Sequence, residues 1–263
     1  MTTGQTVWIT GAGSGIGKAL CLTYARSGAT IILSGRRKEV LDVVATECRE
    51  VGATCHVIPL DLAKPNSIGF AVKAARLEVD RVDVLINNGG VSQRSLVIDT
   101  PIEVDRQIFE VNFFGTVELT KEVLPWMIEK GGGQLVVISS ISGIFGFPLR
   151  SAYSASKHAV AGFFETLGLE NLKHNILTSV VYPGRIRTEI SKSAITADGT
   201  PNNEMDRGLA KGMDVMKCAH RIHRGIQKKK RKILVGGTEM LLVYIYRWLP
   251  ALFWRIAPNI NPK

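Results

Sequence analysis

Seven short apolar runs, separated by stretches of helical length, and a glycine cluster at the end of the first run predict a doubly wound α/β sheet. Strands covered by helices on both faces have no polar side, so they read as apolar throughout rather than alternating. The 263 residues are 45% hydrophobic and 21% charged, enough for a full core in a single domain. Disorder, a collagen-like helix and a disulfide-stapled miniprotein are excluded by the same composition. In chain order the strands are expected at 6–10 (TVWIT), 30–34 (TIILS), 54–60, 82–87 (VDVLIN), 134–139 (QLVVIS), 177–182 and 232–235. Helices are expected between them at 18–27, 38–51, 66–78, 101–130 and 151–174. Such alternation pairs strands in parallel through right-handed crossovers. The stretch 184–212 breaks the rhythm: it is polar, weakly periodic and contains Gly199-Thr200-Pro201. A loop that long in a compact domain is expected to act as a substrate lid, with a plain surface excursion as the alternative.

The glycine cluster reads Gly11-Ala12-Gly13-Ser14-Gly15-Ile16-Gly17 and sits between the first strand and the first helix. Glycines at that turn let the backbone approach a pyrophosphate, and the helix start offers free N–H groups and a positive dipole end. Gly11, Ser14, Gly15, Ile16 and Gly17 are therefore the expected phosphate contacts of a dinucleotide in a Rossmann-type domain. Where an NAD-binding domain places an acid for the ribose 2′-OH, this chain has Leu33-Ser34-Gly35-Arg36-Arg37-Lys38. A carboxylate would repel a 2′-phosphate, whereas a guanidinium pairs with it. NADP(H) is the expected cofactor, with Arg36 the main contact and Arg37 the weaker; ordinary solvated charges are the alternative.

Tyr153-Ser154-Ala155-Ser156-Lys157 places a tyrosine and a lysine at i, i+4 on one helical face. A tyrosine that exchanges a proton with a carbonyl or alcohol needs its pKa brought down, and a neighbouring ammonium favours the phenolate. Thirteen residues upstream, Ser140 stands at the end of an apolar strand, where its hydroxyl can polarise a substrate oxygen. Ser139 and Ser142 flank it, and strand alternation points Ser139 the other way.

Together these residues resemble the short-chain dehydrogenase/reductase family. The resemblance rests on TGAGSGIG at 10–17, Asp61-Leu62, Asn87-Asn88-Gly89-Gly90, Asn112, Ser140, Tyr153 with Lys157, and Pro183-Gly184 followed by Thr188. It covers roughly residues 5–190 and selects Ser140 by its spacing to Tyr153. It implies a relay with Tyr153 as acid/base, Lys157 lowering its pKa, Ser140 positioning the carbonyl and Asn112 holding a water behind Lys157. It further implies that Asp61 and Leu62 meet the adenine, Asn88 and Gly89 the ribose, and Thr188, after Pro183-Gly184, the nicotinamide carboxamide. A narrower set is similar to the dehydrogenase/reductase member 7 branch: NNGGVSQRSL at 87–96, Asp99-Thr100, Ser156-Lys157-His158-Ala159 and Leu242-Val243-Tyr244 with Trp248-Leu249-Pro250. Gly89 replaces the alanine usual in the wider family, a change that branch shares. Its members imply an NADPH-dependent reductase of lipophilic carbonyls, steroid- or retinal-like, or the reverse alcohol oxidation. Animal members carry an N-terminal membrane anchor, whereas this chain begins almost at its first strand, so location and substrate do not transfer.

The net charge is +10, yet residues 201–263 hold thirteen basic and four acidic side chains, which leaves the body near neutral. No nucleic-acid module accompanies the excess, and nucleic acid is not an expected partner. Met240–Ala257 is rich in Leu, Tyr, Trp and Phe but is interrupted by Arg247, Pro250 and Arg255, which argues against a membrane-spanning helix. A dinucleotide-binding catalytic domain is thus expected over 1–237 and an amphipathic extension over 238–263. Three readings of the extension stay open: it lies on anionic lipid, it covers the enzyme's own substrate mouth, or the lysines are a solvated helix end. Cys21, Cys48, Cys55 and Cys218 show no metal spacing and are read as free thiols in a reducing cytosol. No metal is expected, because His220 and His223 have no completing ligand nearby. The expected molecule is cytoplasmic, or peripheral to a membrane, and a homodimer or homotetramer. The alternatives are a 3-oxoacyl thioester reductase, working on acyl carrier protein or coenzyme A, and a catalytically silent NADP-binding regulator.

Overall fold

The computed structural model of the chain describes residues 4–259. The outermost residues of the two expected spans, 1–3 and 260–263, lie outside the described residues. The chain runs β1 (Thr6–Thr10), α1 (Gly15–Ala25), β2 (Thr30–Ser34), α2 (Lys38–Glu50), β3 (Cys55–Val57), α3 (Pro65–Glu78) and β4 (Val84–Asn87). It continues with β5 (Gln93–Arg94), α4 (Ile102–Phe109), α5 (Gly115–Glu129), β6 (Gly133–Ile138), α6 (Ser151–Glu170), β7 (Ile176–Pro183) and β8 (Ile195–Thr196). Last come α7 (Arg207–Ala210), α8 (Val215–Gln227), β9 (Lys232–Val235), α9 (Leu241–Trp248) and α10 (Pro250–Ile256).

The seven expected strands form one parallel sheet in the order β3-β2-β1-β4-β6-β7-β9. Alternate residues feed opposite layers, as a pleated strand requires. Val7, Ile9, Ile31, Leu33 and Ile86 pack under α1, α2 and α8, whereas Trp8, Ile32, Leu85, Leu135 and Val137 pack under α3, α5 and α6. The third strand is shorter than expected; Pro59, which has no N–H to donate, interrupts the run. The expected continuous helix at 101–130 is instead α4 and α5 joined by a π-turn at Glu110–Phe114. Helical periodicity alone does not register such a turn, because both flanks keep their apolar faces.

The stretch 184–212 is an organised segment rather than bare loop. It holds a 3₁₀ turn at Glu189–Ser191, strand β8 paired in parallel with β5, and helix α7. The extension forms α9 and α10, whose inner face puts Phe253 and Tyr246 onto Phe145, at ring distances of 4.9 and 5.5 Å. No described helix is long and apolar enough to cross a membrane. All four cysteines are buried and free, and His223 lies edge-on to Tyr24 at 4.6 Å, a packing role.

Candidate active site

Parallel strands all end on the same side, so β1, β4, β6 and β7 deliver their following loops to one edge of the sheet. A cleft of about 490 Å³ opens there. Gly11 and Gly15, at φ +63° and +52°, build the cradle at its head. Gly17 is needed for a different reason: a Cβ there would lie 2.1 Å from the Gly11 carbonyl oxygen. Ser14 caps α1 without using its side chain, which leaves the first N–H groups of the helix open to an anion. Thr10 Oγ1 accepts from the backbone N–H groups of Asn88 (3.0 Å) and Gly89 (2.9 Å), and Asn88 Nδ2 donates to the Thr10 carbonyl at 3.0 Å. The Asn88 amide therefore fastens the cradle to the end of β4. Thr188 closes over Gly15 from the far wall, 3.3 Å from where a Cβ would stand.

Ser140, Tyr153 and Lys157 come together on the floor of the cleft. Ser140 stands beside the Tyr153 phenol, whose ionised form its hydroxyl favours, and Lys157 Nζ donates to the Ile138 carbonyl at 2.8 Å, 5.8 Å from the tyrosine ring centre. Burial pushes the Tyr153 phenol above its ordinary pKa; the Arg150 charge, the Ser140 hydrogen bond and the Arg94 charge pull it back. Burial also lowers Lys157, to about 8. Ser139 does point away, donating to the Lys157 carbonyl at 2.8 Å. Asn112 lies in the π-turn beneath. Its Oδ1 accepts from Val91 N at 2.8 Å, and its Nδ2 donates to Val91 O and Ser156 Oγ, each at 3.0 Å. The Asn112 amide is thus engaged by the loop after β4 and by α6.

Of the expected contacts, Gly11, Ser14, Gly15, Ile16, Arg37, Asn88, Gly89, Pro183, Gly184 and Thr188 line the cleft. Gly17, Arg36, Asp61, Leu62 and Asn112 do not line it, and Arg36 is exposed to solvent. Arg37, expected as the weaker of the two arginines, is the one that faces the cleft. Leu62 is buried against Gly89, and Asp61 Oδ1 accepts from Ala63 N at 3.1 Å. The sequence reading missed Gln93, a fully buried residue at the start of β5. Its Oε1 accepts from the N–H groups of Ala152 (2.8 Å) and Tyr153 (3.2 Å), so it caps the start of α6 from across the fold. It also missed Arg94 and Arg150, both on the cleft wall beside Tyr153.

The family model described as short chain dehydrogenase matches residues 5–199. The chain belongs to that family. It is 41% identical over 260 residues to the dehydrogenase/reductase SDR family protein 7-like of Drosophila melanogaster, covering 97% of this chain and 80% of that one. Mouse dehydrogenase/reductase SDR family member 7B is 40% identical over 258 residues, covering 96% and 80%. Among solved structures, a short chain dehydrogenase/reductase from Burkholderia phymatum in complex with NAD superposes with a TM-score of 0.85 over 100% of this chain and 97% of that chain; at 23% identity it supports the fold. L-sorbose reductase of Gluconobacter frateurii, complexed with NADPH and L-sorbose, is 29% identical with a TM-score of 0.69, over 71% of each chain. The short-chain dehydrogenase is thus an oxidoreductase of the nicotinamide-nucleotide class, with Ser140, Tyr153 and Lys157 brought together at one end of its cleft.

Proposed function

We propose that this short-chain dehydrogenase is an NADP(H)-dependent reductase of lipophilic carbonyl compounds, working in reverse as an alcohol dehydrogenase. The carrying observation is the meeting of Ser140, Tyr153 and buried Lys157 on the cleft floor, with the glycine cradle at the other end. The residues fit a phosphorylated dinucleotide. A Cβ at Gly17 would fill the cradle, the start of α1 is open to phosphate, and Arg37 lies on the cleft wall with no acid at the end of β2. When bound, the cofactor supplies the hydride. Tyr153 Oη donates a proton to the carbonyl oxygen, Ser140 Oγ hydrogen-bonds that same oxygen, and the Lys157 ammonium favours the phenolate that forms. Asn112 holds the loop above Lys157 in place, and a water behind Lys157 completes the proton path in this reading.

Ile186, Ile190, Pro201 and Leu209 on the lid side favour an apolar substrate body, steroid- or retinal-like. In the same reading the exposed outer face of α9 and α10, with Arg247 and Arg255 among its aromatics, rests on anionic lipid at the cytoplasmic side. α5 and α6 supply the interface of a homodimer or homotetramer.

A panel of ketones and aldehydes with NADPH and with NADH tests this, including steroids, retinal and oxoacyl thioesters. The expected result is NADPH-linked turnover of lipophilic ketones or aldehydes; a clear NADH preference, or turnover of thioesters alone, overturns it. Tyr153→Phe is expected to lower kcat by about 10²–10⁴-fold while NADPH still binds, as loss of a general acid requires. A variant with near-wild-type kcat would remove Tyr153 from the chemistry.

A further inference from the structure

The wall of the cleft next to Tyr153 carries more positive charge than the reaction needs. Five cations line the cleft, of which Arg37 serves the cofactor end, Lys157 stands by Tyr153 in the proton relay and Lys192 is paired with Glu189 at 2.7 Å. Arg94 and Arg150 remain. Both are tied to a single carboxylate, Asp206: Arg94 through Nε (3.3 Å) and Nη2, and Arg150 through Nη2 at 2.9 Å. The three side chains are 6%, 18% and 7% exposed, so the cluster is sheltered from screening and one charge is left over. Asp206 does not line the cleft. It lines a separate recess, with Arg94 forming the partition between the two. The carboxylate thus holds both guanidiniums; Arg94 is tied further by Nη1 to the Gln93 carbonyl at 2.8 Å, whereas Arg150 gives Asp206 Nη2 alone, and both residues line the cleft.

Two further details mark Arg150 as built for a ligand. Its Nε–H is buried and has no hydrogen-bond partner among the described residues, so its guanidinium is not fully satisfied by the fold. The residue before it, Leu149, is held at φ +62°, a left-handed conformation that leucine seldom adopts. Strain of that kind is retained where the surroundings fix a side chain's direction.

We infer that Arg150, assisted by Arg94, forms an oxyanion-binding subsite, so that the carbonyl substrates of this enzyme carry an anionic substituent such as a carboxylate at the end away from the cradle. The inference rests on the reductase reading and narrows it from lipophilic carbonyls to amphiphilic ones. Arg150, held by Asp206 through Nη2, keeps further N–H donors that can pair with a carboxylate, and Arg94 adds its charge. Binding energy at this remote group orients the carbonyl against Tyr153 and Ser140.

The test compares 4-carboxybenzaldehyde with its neutral methyl ester, methyl 4-formylbenzoate, in NADPH-linked reduction. The wild-type enzyme is expected to favour the acid by roughly tenfold or more in kcat/KM, mainly through KM, as a charge-assisted pair supplies. Arg150→Gln is expected to bring the acid-to-ester ratio close to one, and Arg150→Lys to keep part of it. Asp206→Asn breaks the same ion pairs but leaves both guanidiniums, and it should retain the preference; loss of preference there to the same degree as in Arg150→Gln overturns the subsite in favour of general loosening. Equal or better use of the ester by the wild type also overturns it. Calorimetric titration of benzoate and methyl benzoate onto the enzyme with NADP⁺ separates the two readings without turnover. Tighter binding of benzoate that Arg150→Gln abolishes supports the subsite even if neither aldehyde is reduced, in which case it is the reductase reading that falls. Indifference to charge in that titration overturns the subsite alone.

Discussion

Tyr153 is held between opposing influences, and the pH dependence of the enzyme should report them. Burial raises its pKa, while the Arg150 charge, the Ser140 hydrogen bond and the Arg94 charge lower it. Alcohol oxidation needs the phenolate, so its rate should rise with pH as Tyr153 ionises. Removing a positive charge that favours the phenolate, by Arg150→Gln or Arg94→Gln, should shift that rising limb to higher pH. A shift to lower pH in the kcat/KM profile would contradict the assignment. In the reduction direction the rate should decline above about pH 8, where Lys157 loses its proton and no longer favours the phenolate that forms. At this scale the sequence was informative where chemistry is local: Tyr153 and Lys157 announce themselves by one helical turn. It was silent on Arg94 and Arg150, because nothing in a one-dimensional pattern says that positions 94 and 150 share a carboxylate at position 206.

Among the elements, α6 carries the chemistry and is positioned from outside itself. Its own N-cap residue, Arg150, makes no side-chain cap, and the two N–H groups of Ala152 and Tyr153 are taken by Gln93 of β5. Gln93→Leu leaves those buried donors unpaired and is expected to cost about 1–3 kcal/mol of stability in denaturant unfolding. If Gln93 positions Tyr153, kcat should fall while KM for NADPH holds; a stability loss with unchanged kcat would make the residue structural only. Strand positions, their parallel pairing and most helix limits were legible in the sequence because hydrophobic runs and glycine turns encode them directly. The π-turn at Glu110–Phe114 was not, since one extra residue in a helical turn leaves the apolar stripe almost intact. Nor was the pairing of β5 with β8, two residues each, which is set by the packing of the 184–212 stretch rather than by any propensity of its own.

Across the whole molecule, a near-neutral nucleotide-binding body is joined to a basic, aromatic C-terminal quarter. Sequence pattern left that quarter with three readings, because it does not say which side of an amphipathic segment meets the enzyme. Packing assigns Phe253 and Tyr246 to the inside, while Tyr244, Trp248, Leu252 and Trp254 remain exposed. Lipid contact through that outer face predicts that the protein floats with anionic liposomes at low salt and is released at high salt, where exposed charges are screened. Absence from the floated fraction at low salt would end the lipid reading. The inner contact matters in another way, through the direction of protein synthesis. Phe145, a few residues beyond Ser140, receives Phe253 from a segment translated about a hundred residues later. During elongation the nucleotide cradle can assemble early, but the loop that carries Ser140 stays without its cover until α10 leaves the ribosome. A nascent chain would therefore acquire its cofactor site before its catalytic floor is finished.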